Sequence, residues 1–150
     1  MTESNLRKLN ENELFFYEDR VCGEADAVYR FCFGVGGDPA KAYELVKMTY
    51  KNAAEEIAGL LNLSTEEIRT ELIKISYRLL SKDKIAKKSG SSLFAKYLSK
   101  LSFEQKSIVL AKDIVGLTVK QVSHVIDNDE LFVRKELAAA RIQLPDSFGH

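Results

Sequence analysis

Apolar residues recur along most of this chain at three- and four-residue steps, the spacing of one helix face. No stretch sustains the two-residue alternation of a half-buried strand. Leu14, Tyr17, Val21, Ala25, Val28 and Cys32 form one such stripe and predict a long first helix. The segment from Gly34 to Pro39 ends it. Its glycines release the backbone, Asp38 is placed to cap the next helix, and Pro39 suits a first helical turn. A second helix carries Ala42, Leu45, Val46, Tyr50, Ala53, Ile57 and Leu60 on one face. Ser64 with Glu67 has the form of a capping box, in which each side chain satisfies the other residue's free backbone N–H. It opens a third helix with Ile68, Leu72, Ile75 and Leu79 inward.

Ser81 to Ser92 (SKDKIAKKSGSS) breaks this pattern, being polar, basic and rich in serine, the composition of a flexible linker. Beyond it LFAKYLSK predicts a short helix, and Ser102 with Gln105 a second capping box. The helix that follows buries Phe103, Ile108, Val109, Ala111 and Val115, and Gly116 ends it. Thr118 with Gln121 opens a helix holding Val122, Val125 and Ile126; Asp127-Asn128-Asp129 makes a turn. Leu131 to Leu144 forms the last helix, with Val133, Leu137, Ala140 and Leu144 inward. The expectation is an all-α chain with two small helical domains, 1–80 and 93–150, joined by a linker at 81–92.

Composition adds exclusions. The 150 residues are 45% hydrophobic and 29% charged, which fits a globular chain and not a disordered one. No apolar run is long enough to span a membrane, and the polar start MTESNLRKLNENE lacks a signal core, so a cytoplasmic location is expected. Cys22 and Cys32 do not have the spacing of a metal site or disulfide framework, and His124 and His150 stand apart from any ligand cluster or triad. No catalytic residue, metal or cofactor is therefore expected. Net charge is zero but unevenly placed: residues 81–120 hold nine Lys and Arg against three Asp and Glu, while both flanks are acidic. Such a basic middle is either a solvated linker or a footprint for a polyanion.

The stretch from Leu98 to Leu144 resembles, without a gap, region four of the extracytoplasmic-function sigma factors of bacterial RNA polymerase. LSKLSFEQKSIVLAKDIVGLTVKQVSHVI is similar to that family's Leu-x-x-Leu-Pro-x-x-x-Arg stretch, its Gly-Leu before a small capping residue, and the first helix of its helix-turn-helix. Ala140-Arg141 and Leu144 are similar to the end of its recognition helix. VYRFCFGVGGDPAKAYELVKMTY, more loosely, resembles region two: a tyrosine-arginine helix, a Gly-Asp turn and a polymerase-contact helix. ELIKISYRLL falls where the family has its promoter-melting helix. Together the two matches cover about two-thirds of the chain in the family's order.

The resemblance implies binding to RNA polymerase core through Glu44 and Lys47 and contact with promoter DNA through Thr118, Lys120, Gln121, Phe132, Arg134 and Lys135. Lys106 and Lys112 are further candidates for phosphate contact. The departures cluster at contact positions. The usual glutamine is Lys47 and the acidic residue after it Met48; the melting helix's tryptophan falls at Glu71 and its asparagine at Arg78. An aromatic stacked on an unpaired base contributes about 1–3 kcal/mol, so Glu71 weakens capture of single-stranded DNA. On the recognition helix, Gly-Thr-Val-Lys-Ser-Arg is replaced by Leu131 to Glu136, and the next histidine and arginine by Ala138 and Ala139. Two readings stand. One is a transcription initiation factor that reads DNA with Arg134 and Lys135. The other is a sigma-factor mimic that binds an anti-sigma factor, or polymerase, without reading DNA. Large apolar surface marks partners, so Phe132 on the recognition helix is expected at a contact, such as one between docked halves.

Overall fold

The computed structural model describes residues 9–83, 98 and 100–143, and every regular element among them is helical. The chain runs α1 (Glu11–Phe16), a π-helical segment Tyr17–Val21, a 3₁₀ turn Cys22–Glu24, α2 (Ala25–Gly36), α3 (Pro39–Glu55), α4 (Ile57–Leu60) and α5 (Thr65–Ser81). It continues with α6 (Phe103–Val109), a second π segment Leu110–Val115, α7 (Val119–Ile126) and α8 (Glu130–Gln143). The all-α expectation holds for these residues. Residues 84–92 of the linker, the body of the helix expected over 93–100, and Leu144 lie outside the described residues.

The expected starts are where side chains can satisfy free N–H groups. Asp38 accepts from the Ala40 N–H with Pro39 at the first position of α3, and Ser64–Glu67, Ser102–Gln105 and Thr118–Gln121 all close reciprocal capping boxes. The first helix is less regular than expected. Its π segment inserts an extra residue per turn, so a stripe projected back from Cys32 loses register, and Leu14 emerges 45% exposed while Tyr17 and Val21 stay buried. Tyr17 and Tyr50 pin this segment to α3. The Tyr17 hydroxyl donates to the Tyr50 carbonyl (3.1 Å), and the Tyr50 hydroxyl to the Val21 carbonyl (3.0 Å). The second helix ends at Glu55, before the expected Ile57 and Leu60, which are carried by the separate short α4.

The helix ends inside the expected Gly34–Pro39 segment: α2 runs on to Gly36, and Gly37 takes the left-handed conformation (φ 78°) that stops it. Gly34 serves packing instead. A Cβ there would lie 2.6 Å from Leu110 Cδ1 and 2.9 Å from Leu110 Cδ2, so the Leu110 side chain sits directly on the α2 backbone.

That contact joins the two halves of the chain. α2, α3 and α5 pack on one another, and α6, α7 and α8 form the second group. The groups meet where α5 lies along α7 and where α2 meets α6 and the second π segment. Phe31, Val35, Leu72 and Leu80 from the first half and Leu98, Ile108 and Leu110 from the second belong to one continuous apolar core. Because α5 is packed on more than one side, its buried set is Ile68, Thr70, Leu72, Ile73, Ser76 and Leu80, and the expected Ile75 and Leu79 are only half-buried. Ser76 is buried without loss because its hydroxyl is 2.9 Å from Thr49 Oγ1 and it also donates to the Leu72 carbonyl. Burial pushes the neighbouring Cys32 thiol up to about 12, against the opposing effect of its bond to Ser76, so Cys32 is an inert core residue.

Lys106, expected at a phosphate contact, is buried instead. It is 5% exposed, within α6, and desolvation lowers its pKa. A depressed lysine pKa means that the fold carries the cost of a buried cation at neutral pH, a cost relieved as pH rises between the folded value and the ordinary unfolded value. Lys106→Met is therefore expected to be more stable than the native chain at pH 7. The gap should narrow towards the unfolded lysine pKa. Urea melts at neutral and alkaline pH measure both, and a Lys106→Met chain less stable at pH 7 would contradict this account.

Candidate nucleic-acid interface

The second half builds a helix-turn-helix from short-range chemistry. Gly116 adopts φ 93°, letting the chain leave the π segment, and the Leu117 N–H reaches back to the Ala111 carbonyl. Thr118 and Gln121 start α7; Asp127, in the left-handed region at φ 55°, ends it. Asp tolerates that region better than most residues, which suits a tight turn. Asp129 then accepts from the Phe132 N–H (2.7 Å) at the start of α8. Val122 and Val125 face Val133, Leu137 and Ala140 in the buried set that holds the motif together. Arg141 donates to Asp113 at 2.7 Å, tying the far end of α8 to the second π segment.

The six expected DNA-contact residues divide between two surfaces. Arg134 and Lys135 are exposed on the outer side of α8, and neither joins an ion pair among the described residues. Phe132 is half-buried and packs against the core, so its ring is not free in solvent. Thr118 and Gln121 hold each other in the cap: each side-chain oxygen accepts the other's backbone N–H, at 3.1 and 2.9 Å. Lys120 is exposed beside them. These three α7 residues and His124 line a cleft of about 470 Å³ whose other wall is Leu63 with Glu67, Thr70 and Glu71 of the first half. The helix-turn-helix therefore presents the start of α7 to α5, and only the outer side of α8 faces away.

Glu136 also reads differently in space. It is half-buried and accepts a 3.4 Å hydrogen bond from Gln105, so its charge is turned towards α6. Ala138 is exposed beside Arg134 and Lys135 and offers no donor.

Three contacts across the halves have no local signal in the sequence. His124 Nε2 lies 2.5 Å from Glu71 Oε2, joining α7 to α5 at the position where the resembled family carries its melting tryptophan. Tyr77 stacks on Phe103, with centroids 5.5 Å apart, and Leu110 covers Gly34. Only the residue types hint at these partners, because each pair is separated by many positions along the chain.

The expected polymerase-contact residues lie on α3. Glu44 and Lys47 are exposed, as are Tyr43 and Met48. Glu44 lines a cleft of about 480 Å³ with Leu45, Met48 and Leu79, spanned by a 2.7 Å ion pair between Lys41 and Asp83. Lys47 is not among its lining residues. Apolar surface with a few charges at its rim is the make-up of a protein contact. Among the described residues no group of His, Cys, Asp and Glu has the arrangement of a metal site, and no helix is long and apolar enough to cross a membrane. No protein-family model and no curated protein matches the chain.

Proposed function

We propose that this chain is a transcription regulator of the extracytoplasmic-function sigma type, described here in a closed conformation. The observation that carries the reading is the packing of α7 against α5. It sets the start of the helix-turn-helix against the helix where the resemblance expects promoter melting, and His124 and Glu71 clasp the two. In this arrangement Thr118, Lys120 and Gln121 face protein across a shared cleft. Contact of the start of α7 with DNA then requires the halves to part, whereas Arg134 and Lys135 are already exposed; RNA polymerase core, engaged through the Glu44–Met48 face of α3, is the partner that would part them.

The charge supports a dependence on polymerase. Each neutralised phosphate contributes about −0.9 to the slope of log affinity against log salt. Lys120, Arg134 and Lys135 together give a slope of only about −3, too shallow for tight binding by the chain alone.

A second reading, the sigma-factor mimic that binds an anti-sigma factor and does not read DNA, is favoured by one observation. Ala138 occupies the exposed helix face beside Arg134 and Lys135, so α8 offers few donors.

Reconstitution decides between them. Purified chain is added to bacterial core polymerase on fragmented genomic DNA, and transcript starts are mapped. Chain-dependent starts at discrete sites are expected, with higher yield from Glu71→Lys, which removes the carboxylate that holds His124. Core binding without any start supports the mimic. Absence of core binding removes the sigma-type reading.

A further inference from the structure

Two exposed apolar patches lie near opposite ends of the chain and carry opposite charge. On α8, Leu131 is 60% and Ile142 85% exposed, with Lys135 and Ala138 exposed between them. Positions 131, 135, 138 and 142 follow alternating steps of four and three, the spacing of a coiled-coil seam. At about 100° per residue they fall on the side of α8 opposite the buried Val133, Leu137 and Ala140. Arg134 flanks this seam, so that with Lys135 its middle is basic, while the exposed Glu130 stands beside Leu131 at its start. On α1, Phe15 is 69% and Leu14 45% exposed, and exposed Glu11, Glu18 and Asp19 surround them on α1 and the following π segment.

We propose that the acidic, aromatic face of α1 docks on the basic seam of α8 of a second copy of this chain. Both patches are uncovered in the same structure, so they do not cover each other within one chain. Pairing α8 with α8 sets Arg134 and Lys135 against their own kind, and pairing α1 with α1 does the same for Glu11, Glu18 and Asp19. Only the crossed pairing joins apolar to apolar and acid to base. Two such contacts related by a two-fold axis close a dimer. The contact occupies Arg134 and Lys135, so dimer and DNA exclude one another on α8, whereas the α3 face is left free.

Sedimentation velocity across the micromolar range tests this without polymerase or DNA. The expected result is a mass rising from one chain to two, with association weakened at least about tenfold between low and high salt because exposed charges are screened. Phe15→Glu and Leu131→Glu should each leave a monomer at every concentration. Lys135→Glu should weaken association, and Glu18→Lys added to it should restore it. Both apolar sites are exposed, so the variants should remain folded, which circular dichroism checks. A native chain that stays monomeric throughout overturns the proposal. So does a dimer that survives Phe15→Glu or Leu131→Glu, since another surface must then make it. Failure of the transcription assay leaves these outcomes unaffected.

Discussion

Gly34→Leu is expected to lower stability by about 3 kcal/mol and to prise the two halves of the chain apart. The reason is local and geometric. A Cβ alone would stand 2.6 Å from Leu110 Cδ1, and Leu110 is fully buried in the core. A branched side chain adds three more carbons at the same point. Gly34→Ala should cost less, because an overpacking penalty of about 1–3 kcal/mol is offset by the roughly 1 kcal/mol that alanine gains over glycine inside a helix. The pair Gly34→Leu with Leu110→Ala should recover part of the loss by returning volume to the site. Chemical denaturation followed by circular dichroism measures all three. A Gly34→Leu chain as stable as the native one would show that Leu110 does not rest on α2.

Asp113→Asn is expected to cost about 2–3 kcal/mol and to loosen α8. The Asp113 side chain is only 7% exposed and receives the Arg141 guanidinium at 2.7 Å. Arg141 Nε is buried without a hydrogen-bond partner, so Asp113 is its main compensation. Asparagine keeps the shape and removes the charge, leaving a half-covered cation against a neutral amide, the costly way to break a pair. Arg141 is 37% exposed, which places the effect below that of a fully buried pair. Hydrogen exchange should show the loss concentrated in α8 and the second π segment. If denaturation and exchange are both unchanged, the pair is an incidental surface contact. DNA affinity, where present, should fall as well, because Arg134 and Lys135 are positioned only as firmly as α8 itself.

These two variants address different levels of the same arrangement. Gly34 and Leu110 hold the halves together, so weakening them should favour the open form that the sigma-type reading requires for DNA. Asp113 and Arg141 hold α8 in its own half, so weakening them should impair the DNA contact that the sigma-type reading assigns to this helix. A transcription assay in which Gly34→Ala raises yield while Asp113→Asn lowers it would support the proposed opening.

The helical elements were legible because their causes are local. Ser64 with Glu67, Ser102 with Gln105, and Thr118 with Gln121 satisfy free N–H groups within one turn, and all three caps form where the spacing places them. Gly116 likewise ends its segment through a backbone conformation open to glycine. The spacing of Val122, Val125, Val133, Leu137 and Ala140 fixed which side of α7 and α8 is buried. Where local geometry departs from the regular period, the reading slipped: the π segment at Tyr17–Val21 turned Leu14 outward.

Side-chain type alone did not determine the surroundings of the charged candidates. Lys106 looked available for phosphate and is buried; Glu136 looked set to repel DNA and is bonded to Gln105; Glu71 replaces an expected aromatic and meets His124. Each outcome depends on a partner from another helix, and nothing in helix periodicity identifies that partner. The sequence by itself determined most of the helices and their caps, because those energies arise within a few residues. Only the tertiary structure decided that Gly34 is a seat for Leu110, that α5 and α7 share one cleft, and that Arg134 and Lys135 face away from it. Those choices arise from packing between residues far apart in the chain, where burial and shape act together on both partners.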